Sequence, residues 1–153
     1  MKSFLAWILL WLIVTVAGAQ AGTPPWGPRA GFSLDPDQFV FGAHVQVSEP
    51  TAGLSIQPNV EMGLGNDTTT LQINGDIAYT FPELETLNWG WYAGGGVSWA
   101  YYWFDASSTG EIGLSLLGGV SKIMSNDNRL SLELRFGIDE MPDFKVTLGF
   151  WFH

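Results

Sequence analysis

The sequence predicts an all-β chain, an antiparallel up-and-down transmembrane β-barrel of about eight strands preceded by a signal peptide. Three observations carry that prediction. The stretch from Asp143 to His153 alternates strictly and puts Phe144, Val146, Leu148, Phe150 and Phe152 on one face, since successive strand side chains point to opposite sides. Such a ribbon needs a second sheet or lipid against its apolar side. Charge is also scarce: 14% of residues are charged and 14% aromatic, with 8 Trp, where a soluble domain carries about 25% charged residues. Finally, the faces opposite the apolar ones are rich in Gly, Ser, Asn and Gln. A soluble secreted ligand-binding barrel of the same periodicity would meet water there with Lys and Glu.

The chain divides into residues 1–21, a signal peptide, 22–28, a periplasmic lead-in, and 29–153, the barrel. Lys2 supplies a short positive region, Phe4 to Val16 an apolar run, and Ala17-Gly18-Ala19-Gln20-Ala21 small residues at cleavage spacing. The apolar run is shorter than the roughly 20 residues of a spanning helix. Pro24, Pro25, Gly27 and Pro28 read as breakers ahead of the first strand. With 15 acidic and 6 basic residues the net charge is -9. That balance excludes nucleic acid as a partner, because phosphates need clustered Lys and Arg. There is no cysteine and there are only two histidines, so neither a disulfide framework nor a metal cluster is expected, and no cofactor.

The ribbons follow in order. Arg29 to Leu34 is the weakest and ends in the turn Asp35-Pro36-Asp37. Gln38 to Ser48 opposes Phe39, Phe41, Ala43, Val45 and Val47 to a polar face with His44 and Gln46. After the turn at Glu49 to Gly53, Leu54 to Gly65 alternates throughout, and Pro58 predicts a local bulge or bend because it removes a ladder donor. Asn66 to Thr70 connects to Leu71 to Phe81, and Pro82 to Thr86 to the longest ribbon, Leu87 to Trp103. Asp105 to Thr109 is read as a polar connection before Glu111 to Lys122, where Leu117 is apolar on the polar face. Ser125 to Asn128 is a turn, Arg129 to Gly137 a strand, and Asp139 to Pro142 leads into the closing strand.

On the longest ribbon Trp89, Trp91, Tyr101 and Trp103 stand at the two ends of one face. Trp and Tyr favour the two membrane interfaces, so these four are the predicted aromatic girdle. From Trp91 to Trp103, a strand rising about 3.3 Å per residue and tilted about 45° climbs roughly 28 Å, close to the apolar band of about 25 Å. Inward glycines on the opposite face leave room for large side chains such as Trp151.

The signal peptide, the alternating ribbons and the aromatic closing strand together resemble the small outer-membrane β-barrel proteins of Gram-negative-type bacteria. The stretch Trp91-Tyr92-Ala93-Gly94-Gly95-Gly96-Val97 also looks like a strand segment frequent in those barrel domains. The resemblance implies that residues 29–153 sit in the cell outer membrane in contact with its lipid. It further implies that Leu148, Phe150 and Phe152 form the signal read by the barrel-assembly machinery, with His153 following the aromatic that usually comes last.

Chemistry concentrates on the inward faces, where Glu61, Asp76, Glu111, Glu133, Arg135, Lys145 and Arg29 are expected to form an interior polar network. Buried charges must be paired and hydrogen-bonded, and an interior of about eight strands is normally filled by side chains. The expected role is therefore structural or interactive, without enzymatic activity. A small-solute or ion channel is the alternative, gated by rearranging pairs such as Glu133 or Glu61 with Arg135. A lipid A modifying enzyme would need a serine beside His44. Ser48 is four residues along the same strand, roughly 13 Å away at about 3.3 Å per residue, too far for direct contact.

Overall fold

The computed structural model describes residues 23–138 and 141–153. The predicted signal peptide, and Asp139 and Glu140 of the last connection, lie outside the described residues. The described residues form nine strands. These are β1 (Trp26–Leu34), β2 (Gln38–Val45), β3 (Ser48–Thr51), β4 (Leu54–Leu64), β5 (Thr68–Thr80), β6 (Trp89–Phe104), β7 (Ser107–Ile123), β8 (Arg129–Ile138) and β9 (Phe144–Trp151). Each pairs antiparallel with its sequence neighbour, β1 also pairs β9, and β2 pairs β4, so the sheet closes on itself. Because β2 and β3 are successive lengths of one ribbon that both pair β4, nine strands make eight staves.

Closure removes the exposed strand edges, and alternation then sorts the side chains. Among the described residues, 18 polar or charged side chains are buried against 8 apolar ones, while Leu, Ile, Val, Phe and Trp fill the exposed large residues outside. A soluble barrel has the reverse arrangement, and an apolar surface of this extent cannot stay in water as a monomer. It is a lipid-facing belt.

The strands depart from the sequence reading at several points, among them the turn read at Glu49 to Gly53, where Ser48–Thr51 is strand. β1 begins at Trp26, not Arg29: Phe152 N donates to Trp26 O at 2.7 Å. The β1–β9 ladder is interrupted only across Gly27 and Pro28, in unshifted register, where proline lacks an N–H. The connection read at Asp105 to Thr109 is a two-residue turn, since Phe104 pairs Ser107 and the β6–β7 hairpin runs on. Likewise, Thr68 to Thr70 are already strand. The bend expected at Pro58 falls across the ladder from it instead: β4 pairs β5 without a shift through Pro58↔Gly75, while the ribbon on the other side breaks between β2 and β3.

Glycine sets the close approaches inside. A Cβ on Gly94 would run into the Ile77 carbonyl, and one on Gly119 into the Tyr92 ring that lies over it. Large inward side chains thus face bare backbone on the neighbouring stave. Leu117, out of pattern in the sequence, is 5% exposed and pairs Gly94.

Candidate functional site

The site is the barrel lumen. Inward positions on β1, β4, β5, β8 and β9 bring three cations and three carboxylates into one alternating chain, Lys145–Glu61–Arg29–Glu133–Arg135–Asp76. Arg29 Nε lies 2.8 Å from Glu61 Oε1, Arg29 Nη2 donates to Glu133 Oε1 at 2.9 Å, and Arg135 Nη2 to the same oxygen at 3.1 Å. Lys145 closes on Glu61 at one end and Arg135 on Asp76 at the other. All six are buried.

Neutral groups take up most of the remaining hydrogen-bonding capacity. Arg29 donates to Thr147 Oγ1 at 2.8 Å, Arg135 to Ser115 Oγ at 2.9 Å and Lys145 to Gln72 Oε1 at 2.6 Å. A relay runs on from Asp76: Asn59 Nδ2 donates to its carboxylate at 2.7 Å, Asn74 to Asn59 at 2.6 Å, and Ser98 to Asn74 at 2.6 Å. Charge balance plus this shell is what lets six ionised groups sit out of water. Beside the chain, a void of about 10 Å³ bounded by Ser33, Gln38, Glu61, Gln72 and Lys145 is the size of one water.

Both ends of this network are covered. Toward the end where Trp26 pairs Phe152, Trp151 stacks on His44 with centroids 3.6 Å apart, Arg129 lies 4.7 Å over the Trp151 ring, and Trp151 Nε1 donates to Ser131 Oγ at 3.2 Å. Above them opens a vestibule of about 520 Å³ lined by Gln46, Glu49, Ser55, Thr80, Glu85 and Arg129. At the opposite end Met141 is 7% exposed, packed with Ala100 and Tyr102, and its Sδ lies 3.7 Å from Gln72 Nε2.

Of the seven residues predicted for the polar network, six form the chain. Glu111 lies on the same inward face four residues from Ser115, but half-exposed toward the rim. Glu61 pairs with Arg29 and Lys145, so the anticipated Glu61–Arg135 pair does not form. Missed in the sequence were the neutral members Gln72, Asn74, Asn59 and Ser98, although their shared face was readable. His44 is buried, with Nε2 3.0 Å from the Phe150 carbonyl oxygen and its ring against Trp151, and it shares the space over Gly149 with the Ser131 hydroxyl, which accepts from Trp151 Nε1.

Outside, Trp89, Trp91 and Trp103 are exposed at the belt's two ends, with Tyr101 half-buried between Trp99 and Trp103. Further aromatics stand at the same two levels. Trp26, Phe150 and Phe152 lie at the end where Trp26 pairs Phe152, and Phe32, Phe39, Phe41, Phe136 and Phe144 toward the other. Leu148, Phe150 and Phe152 all face outward on the closing strand and its end.

No family model matches the chain, and no curated protein matches it in sequence. Solved structures do match its fold. The N-terminal β-barrel domain of Pseudomonas aeruginosa OprF aligns at TM-score 0.60 and 12% identity over 84% of this chain and 96% of that one. Neisserial surface protein A aligns at 0.56 and 17% over 84% and 90%. The Yersinia pestis outer membrane protein Ail, in a phospholipid bilayer nanodisc, aligns at 0.53 and 10% over 84% and 98%. The chain has the fold of the eight-stranded outer-membrane β-barrels.

Proposed function

We propose that this chain is an integral outer-membrane protein with a structural or interaction role, held in lipid by its apolar belt and closed to solutes by a packed polar interior. The alternating six-charge chain carries this reading, because it crosses the lumen with every member paired. Breaking any link strands a buried charge, which costs about 3–5 kcal/mol, so the closed arrangement is the stable one. Trp151 with His44 at one end and Met141 at the other add covers that a standing pore would lack.

Within this reading Leu148, Phe150 and Phe152 serve as the recognition strand for the barrel-assembly machinery, and lipid is the principal partner. No catalytic role is proposed, since the most plausible general base, His44, is fixed between the Phe150 carbonyl and Trp151. Reconstitution into a planar bilayer tests the closed interior. The folded protein is expected to give no sustained unitary conductance, and Trp151→Ala with Met141→Ala is expected to introduce brief openings at most. Stable conductance steps from the unmodified protein would sink this reading and favour a small-solute channel.

A further inference from the structure

Among the described residues the outer face of the barrel carries one basic side chain, Lys122 on β7. Arg29, Arg135 and Lys145 are buried in the lumen, and Arg129 turns inward over Trp151. Lys122 is exposed, stands in register between Trp89 and Leu130, and holds its ammonium 5.1 Å from the centre of the Trp89 ring. The five ion pairs of the described residues lie inside the barrel and leave Lys122 without a carboxylate. Around it the outer surface is apolar: Trp89, Trp91 and Leu130 are all exposed.

A cation on a lipid-facing surface is stable where its stem can lie along apolar groups while its head reaches the headgroup layer. Tryptophan marks that layer. Lys122 over Trp89 therefore suits the depth of the lipid phosphates, at the barrel end where Trp26 pairs Phe152. We propose that Lys122 and Trp89 form a binding site for the headgroup phosphate of an anionic glycerophospholipid. The occupant is a lipid because the patch is continuous with the lipid-facing belt. It is anionic because a zwitterionic headgroup brings its own ammonium to compete for the phosphate, whereas an anionic one leaves the phosphate to the lysine.

The inference rests on the membrane reading, and its test separates the two. Native mass spectrometry of the folded protein in detergent would compare phosphatidylglycerol with phosphatidylcholine of identical acyl chains. A single interfacial lysine is expected to favour the anionic lipid about fivefold. Lys122→Gln should abolish that preference and Lys122→Arg should keep it, each variant being confirmed as folded by its unboiled gel mobility. A preference unchanged in Lys122→Gln, or absent from the unmodified protein while it shows folded mobility, overturns the proposal alone. Loss of the folded mobility in the unmodified protein overturns the membrane reading with it.

Discussion

Arg135 is the residue on which the interior most depends, because it joins Asp76 and Glu133 and also donates to Ser115. Asp76→Ala removes its end partner and strips Asn59 of an acceptor. The expected loss is about 3–5 kcal/mol, measured as the shift in urea unfolding of the folded barrel in lipid vesicles. The double variant Asp76→Leu with Arg135→Met removes the pair together and should recover part of that loss, since a well-packed apolar pair can replace a buried ion pair. If the double variant is as unstable as the sum of its parts, the pair is not the coupled unit described here. Two glycines make a second comparison. Gly94→Ala drives a Cβ into the Ile77 carbonyl and should lower the folded fraction sharply, whereas Gly75 has open space and Gly75→Ala should be neutral or stabilise by about 0.5–1 kcal/mol. Equal folded yields on gels of unboiled samples would contradict the assigned inward and outward faces.

The strands test the belt directly. Leu116 is exposed on β7 opposite Gly95, midway between the two aromatic ends of β6. Leu116→Arg should cost about 2–4 kcal/mol in vesicle refolding, against about 0–1 for Ser108→Arg at the rim; equal costs would mean that lipid does not lie against this face. These faces were legible because period-two alternation is a local property: Phe144 to Phe152 declares its outward side without reference to any other strand. Strand ends were less so. Whether Ser107 to Thr109 belong to a loop or a hairpin depends on their pairing with Tyr102 to Phe104, and polar composition said loop. Pro58 shows the same limit, its lost donor being accommodated by the break between β2 and β3 across the ladder. The six charged members of the lumen could be picked from their faces, yet their order could not. Arg29 meets Glu133 through pairing of β1 with β9 and of β9 with β8, a neighbourhood that only closure creates.

Taken together, the protein inverts the soluble arrangement, with ionised groups knotted in the middle and an apolar exterior on which Lys122 is the one basic side chain among the described residues. Its stability in lipid and its proposed closure to solutes have the same origin, since a narrow lumen filled by paired charges is cohesive and leaves no open path. The lipid site proposed at Lys122 and the assembly strand proposed at Leu148, Phe150 and Phe152 lie on the same outer surface and leave the lumen untouched. All of this depends on insertion as a closed barrel. The most direct test is fractionation of cells expressing the protein, with boiled and unboiled samples of each fraction compared by gel mobility. The account predicts recovery in the outer membrane and a faster-migrating unboiled form that shifts on boiling. Recovery as a soluble protein, with identical mobility before and after boiling, would contradict it.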